Sequence, residues 1–200
     1  MKKVISFIKD IVLKNPILLE GIVIAPIVAV GVSLKNALLL SLCLLIITLP
    51  SVILSATVFK RLNKFLKIPA VFLSASLFYL LAAAVALKIN PATFESFGIY
   101  LPIFIVNSII LANSIDNENV KLFQVIRNTM IGIISFALVA IFASSIREIL
   151  GLGTIYGKFK IFSKKMSGIL YPFSGYFIIA FLAAITNYII LKTKERGKNQ

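Results

Sequence analysis

Glu20 is the only ionisable residue well inside an apolar stretch of this chain. A carboxylate in lipid is costly unless it pairs, takes up a proton or faces water, so it marks a candidate ion path. The blander reading is that Glu20, less than two helical turns from Lys14, reaches the membrane interface. Asn107 and Ser108 interrupt a second apolar stretch and complete the ion-path candidates; Asn107 and Asn113 can equally hydrogen-bond between helices. Arg147-Glu148 closes a third, where an interfacial ion pair or a capping arrangement is expected. Gly151-Leu152-Gly153-Thr154-Ile155-Tyr156-Gly157 imitates a phosphate-binding loop, but no strand precedes it and the Walker lysine is missing. It predicts a turn ending a helix. Cys43 lies in an apolar run and reads as a small buried hydrophobe. With no His and one Cys, histidine acid–base chemistry, an intrachain disulfide and a Cys/His zinc site are excluded. No catalytic residue and no metal-ligand set emerge.

The elements that must position these residues belong in lipid. Of 200 residues 60% are hydrophobic and 14% charged, and the mean hydropathy is +1.02. Soluble domains carry about 25% charged residues, and a chain this short lacks the interior to hide so much apolar surface. A bilayer core of roughly 30 Å takes about 20 apolar residues per helix. On that measure the chain divides into six spans: 16–33, 37–59, 69–87, 98–115, 129–146 and 169–191. Ahead of them, Lys9, Asp10 and Lys14 break the run that a signal peptide needs. Val4, Ile5, Ile8, Ile11 and Val12 instead predict a short helix over 1–14 lying on the membrane surface.

Ser41, Thr48, Ser51, Ser55 and Thr57 mark the second span as a close-packing helix. The first and fourth spans are barely long enough and contain breakers: Glu20, Gly21 and Pro26 in one, Pro102, Asn107 and Asn113 in the other. Short, interrupted segments at matching places in two halves predict an internal repeat with discontinuous helices. The expected fold is therefore an all-α membrane protein of six transmembrane helices in two inverted three-helix repeats, first and fourth helices broken. It forms one domain, with repeats over 15–88 and 98–192 and a basic tail over 193–200.

The net charge of +14 supports orientation rather than nucleic-acid binding. With the N-terminus cytoplasmic, Lys2, Lys3, Lys9 and Lys14, then Lys60, Arg61, Lys64 and Lys67, Lys121 and Arg127, and the tail all fall inside. The loop from Arg147 through Lys158, Lys160, Lys164 and Lys165 runs against the rule. Its basic stretch, interleaved with Phe159, Ile161 and Phe162, can bind anionic headgroups or stand solvated.

Three segments together resemble one family. Lys14-Asn15-Pro16-Ile17-Leu18-Leu19-Glu20 continuing to Ala25-Pro26-Ile27-Val28-Ala29-Val30 is similar to the first broken helix of the Rnf–Nqr membrane subunits. Gly98-Ile99-Tyr100-Leu101-Pro102-Ile103-Phe104-Ile105-Val106-Asn107-Ser108 resembles their fourth helix. Ser145-Ile146-Arg147-Glu148-Ile149-Leu150-Gly151 with Gly153-Thr154-Ile155-Tyr156-Gly157 resembles the Rnf E-type and Nqr D-type subunits. The resemblance runs from about residue 12 to 191 in order.

It implies a six-helix inverted repeat in the cell membrane, paired with a homologous sister subunit in opposite orientation. In the family each sister supplies two cysteines, one from each broken helix, to an iron–sulfur cluster that carries electrons across the membrane. The complexes couple electron transfer to sodium or proton movement. This sequence departs from that pattern, with Ala25 and Ser108 at the two cysteine positions. Thiolates hold such clusters, so no cofactor is expected on this chain alone. A shared [2Fe-2S] centre would need ligands from the sister. Leu111-Ala112-Asn113-Ser114 also replaces the charged residues that usually follow the fourth helix. The expected function is a membrane subunit of an Rnf/Nqr-like complex, a translocase subunit without catalytic residues of its own. The alternatives are a small inverted-repeat transporter or channel and a purely structural assembly subunit.

Overall fold

In lipid every backbone amide must bond within the protein, so long apolar runs fold as helices. The computed structural model describes residues 23–114, 121–157, 159–160 and 166–198. The expected surface helix over 1–14, Glu20, Gly21 and most of the basic stretch 158–165 lie outside those residues.

The described chain opens with the short helix α1 (Ile24–Val30), then the long helices α2 (Leu34–Thr57) and α3 (Lys64–Ile89). A short helix α4 (Pro91–Phe97) leads through two single 3-10 turns into α5 (Ser108–Ser114). Next comes α6 (Leu122–Arg147), prolonged by a π-turn over Glu148–Leu152. A two-residue ladder then pairs β1 (Thr154–Ile155) with β2 (Phe159–Lys160), and α7 (Pro172–Lys198) closes the described chain.

Four of these helices are long and apolar enough to cross a membrane: Leu34–Thr57, Phe65–Ile89, Leu122–Leu152 and Pro172–Lys192. The pair Pro91–Tyr100 and Pro102–Ser114, bent by 51°, adds a fifth when taken as one span. The chain is a multi-pass helical membrane protein. Five of the six expected spans thus have a counterpart, and of the sixth, 16–33, only the part from Val23 is described. Several boundaries moved outward, although α7 starts later than expected, at Pro172 rather than 169, and α2 ends at Thr57 rather than 59. α3 starts at Lys64 rather than 69, and α6 starts at Leu122 rather than 129. Hydropathy reports the apolar slab, whereas hydrogen bonding carries a helix on into its charged ends.

α2 is the central helix, packed against both α3 and α6. Its buried residues Ala37, Leu40, Leu44, Ile47, Ser51 and Ser55 recur every three or four positions, as a helix with one face in the core requires. α6 answers with Val125, Thr129, Gly132, Phe136, Ala140, Ala143 and Arg147. Gly132 lets α5 approach closely, since a Cβ there would lie 3.2 Å from Ile109 Cγ2. α7 packs on α1 through Gly175, where a Cβ would meet Val28 Cα at 3.2 Å. The small hydroxyl residues of α2 divide between two uses. Ser41, Ser51 and Thr57 bond back to their own helix. Thr48 and Ser55 reach across to the segment of the broken fourth helix.

Candidate functional site

The two broken regions are built by different local chemistry. Upstream of α1, Val23 takes the left-handed conformation at φ 55°, which a β-branched side chain adopts only under strain. Pro26 then sits in the first turn of α1, where its missing N–H costs nothing. In the other region Gly98 turns the chain at φ 46°, and Pro102 cannot donate to the preceding turn. Asn107 restarts the helix, its Oδ1 accepting the Ile110 amide at 2.9 Å, the work of an N-cap.

These restarts bring together residues that are far apart in sequence. Ala25 and Ser108, the two positions singled out by family resemblance, line one open cavity of about 420 Å³ with Pro26, Val106, Asn107 and Tyr176. Asn107 is buried, and both ends of its carboxamide are hydrogen-bonded. Its Nδ2 donates to Thr48 Oγ1 at 3.1 Å and to the Phe104 carbonyl at 2.6 Å. It therefore bridges α2 to the start of α5 while one edge faces the cavity. Asn113 donates back to the Ile109 carbonyl at 2.9 Å. Tyr176 enters from α7 and was invisible in the sequence, where it lies within a plain apolar run.

The donors around this cavity are a hydroxyl, a carboxamide and a phenol, with a methyl group at position 25. None is a thiolate, so these residues do not fit an iron–sulfur cluster. Cys43 does not repair the deficit. It is fully buried on α2, its Sγ 4.0 Å from the Ala82 carbonyl on α3, and it does not line the cavity.

Arg147 and Glu148 hold the frame in place. An interfacial ion pair was one expectation, and here the structure corrects it: both side chains are fully buried and bond separate backbone segments instead of each other. Arg147 Nη1 donates to the carbonyls of Val28 at 2.7 Å and Gly31 at 3.1 Å. Its Nη2 reaches the Leu170 carbonyl at 2.7 Å, and Nε reaches Ile169 at 3.3 Å. The guanidinium thus caps the C-terminal end of α1, where the helix dipole favours a cation, and ties it to the turn before α7. Glu148 Oε2 accepts the Leu34 amide at 2.8 Å and Oε1 the Gly157 amide at 2.6 Å. That carboxylate caps the N-terminus of α2 and fastens the β1–β2 hairpin. The capping half of the expectation holds, with both helix ends served from one point on α6. The glycine-rich segment that follows is the helix-ending turn expected, with Gly153 left-handed at φ 69°.

A multi-pass helical bundle whose two helix restarts share one cavity defines the class of protein. The Rnf-Nqr family, described as Rnf-Nqr subunit, membrane protein, matches residues 4–192, and the chain belongs to it. It is 28% identical to the E subunit of the ion-translocating oxidoreductase complex of Shewanella oneidensis, over 91% of this chain and 85% of that protein. The protein of the same name from Shewanella loihica is 31% identical over 71% of this chain and 62% of its own. The one from Methanosarcina acetivorans is 25% identical over 94% and 92%.

Proposed function

We propose that this chain is a membrane subunit of an Rnf/Nqr-like electron-transport complex that couples redox chemistry to sodium or proton translocation. Within it the chain provides scaffold and ion path and binds no iron–sulfur cluster of its own. The observation that carries this reading is the cavity between the two helix restarts, set in a chain of this family but lined at positions 25 and 108 by Ala and Ser. The finer architecture is six spans in two inverted three-helix repeats. In its favour, each half runs in the order short helix, long helix, long helix: α1, α2, α3 and then α5, α6, α7. α1 and α5 are each 7 residues long, as is α4, the first limb of the bent pair that α5 completes. The chain lies in the cell membrane with its N-terminus cytoplasmic and pairs with a homologous sister subunit in opposite orientation. A [2Fe-2S] centre forms at this site only if the sister supplies the ligands. Glu20, Asn107 and Ser108 are the proposed ion path.

Iron analysis and visible absorption of the purified chain, alone and with its sister, test the cluster assignment. The expected result is no stoichiometric iron on the chain alone, and one cluster per chain would overturn it. Redox-driven sodium or proton uptake by the reconstituted complex tests the path, with Glu20→Gln and Ser108→Ala expected to lower uptake more than electron transfer.

One observation favours a second reading, a small inverted-repeat transporter. The cavity presents hydroxyl and amide groups, which suit an ion or a small polar solute. Flux into proteoliposomes without any electron donor, abolished by Glu20→Gln, would decide for it.

A further inference from the structure

A second cavity, of about 260 Å³, lies at the opposite end of α2 from Thr57. Lys35 and Tyr156 stand at its mouth beside Asn90, and Leu38, Leu42 and Ile89 form its apolar wall. Lys35 is the second residue of one candidate span and Ile89 the last of another. The mouth therefore sits where hydrocarbon gives way to headgroups. Below it, Lys35, Leu38 and Leu42 fall at i, i+3 and i+7, one stripe of α2 descending about 10 Å into the apolar layer. Leu38, Leu42 and Ile89 remain exposed.

Lys35 forms no ion pair with a carboxylate among the described residues. Glu148, which holds the adjacent Leu34 amide, also accepts from Gly157 N and Thr154 Oγ1. What faces the ammonium is the ring of Tyr156, whose centroid is 5.3 Å from Nζ. Tyr156 is held there at φ 57°, a conformation unusual for a bulky residue and a frequent mark of a functional position. A cation over an aromatic face is oriented without being neutralised. Its donors stay available for an anion.

We propose that this cavity is a binding site for an anionic phospholipid, its headgroup phosphate on Lys35 and one acyl chain along Leu38 and Leu42. The apolar stripe beneath the cation distinguishes this ligand from a soluble anion, which would use the mouth alone. The site is independent of the electron-transport reading and stands whether or not that reading does. It also gives the hairpin a role, since Glu148 clamps the turn that carries the tyrosine.

The test uses the full chain in nanodiscs of phosphatidylcholine doped with a phosphatidylglycerol bearing a photoreactive acyl chain. Mass spectrometry then maps the cross-linked peptide. Cross-linking is expected on the Leu38–Leu42 segment, reduced about fivefold by Lys35→Gln and restored by Lys35→Arg. Leu42→Phe, which fills the stripe without altering charge, is expected to reduce it as well. Other lipid contacts of this basic chain serve as internal controls and keep their labelling in each variant, which also reports that the variant is folded. Undiminished labelling of 38–42 in Lys35→Gln overturns the proposal. So does equal labelling by a photoreactive phosphatidylcholine, or displacement of the lipid by millimolar inorganic phosphate, which would mark a soluble-anion site.

Discussion

At the scale of single residues, the chemistry of this chain is concentrated in side chains that serve backbone groups. Arg147 is buried with no carboxylate partner among the described residues and is stabilised by carbonyl oxygens from two segments, the end of α1 and the turn before α7. Removing the guanidinium leaves buried carbonyls without a donor, at a cost of about 1–3 kcal/mol each. Arg147→Ala should therefore lower the thermal midpoint sharply in detergent, read by the loss of monodisperse protein on heating. Arg147→Lys keeps the charge but not the planar fork of donors, so it is expected to recover only part of that loss. Asn107→Ala leaves Thr48 Oγ1, the Phe104 carbonyl and the Ile110 amide without their partner. A cost of about 1–3 kcal/mol is expected, with Asn107→Asp recovering the cap to Ile110 but not the donation to Thr48. Glu148→Ala releases the Leu34 and Gly157 amides. Faster hydrogen exchange confined to the start of α2 and the hairpin is the expected signature, and exchange unchanged at Gly157 would show that the carboxylate does not hold it.

At the scale of elements, the two short helices and the contact of α7 with α1 define the cavity. Because Ala25 and Ser108 both line it and both are exposed, cysteines placed there should react with a small maleimide in the folded protein. The native Cys43, fully buried, should react only after denaturation. Counting labels by mass spectrometry on Ala25→Cys and Ser108→Cys checks this, and labelling of neither position would contradict the cavity. A Cβ at position 175 would press on Val28 Cα, and it would lie 3.4 Å from Arg147 Nη1. Gly175→Val is therefore expected to loosen α7 from α1 and to lower stability by about 1–3 kcal/mol through overpacking. Limited proteolysis between α6 and α7, compared with the parent chain, reads that loosening.

At the scale of the whole molecule, much of this protein was legible before its folding was known. Lipid forces backbone groups to pair within a segment, so apolar runs of about 20 residues translate directly into helices. Of the expected breakers Pro102, Asn107 and Asn113, the first two act locally and do interrupt the fourth helix, which is why the interruption could be read from residue types alone, whereas Asn113 lies inside α5. Arg147-Glu148 could be recognised as a helix-ending pair for the same reason. Their burial could not, because the carbonyls and amides that satisfy them come from Ile27 to Gly31, Leu34, Ile169 to Tyr171 and Gly157. No local pattern encodes such distant partners, and two adjacent opposite charges suggest each other first. Tyr176 escaped notice likewise, since an aromatic in an apolar run has no periodic signature of the cavity it enters. The sequence alone determined the solvent and the long apolar helices, both of which depend on composition and short-range chemistry; Ala25 and Ser108 stood out only through the family resemblance. Only the tertiary structure decided that Ala25, Ser108 and Tyr176 share one cavity and that Lys35 meets Tyr156 above an apolar stripe. Those groupings arise from how α1, α5 and α7, and α2 with the hairpin, pack against one another across the chain.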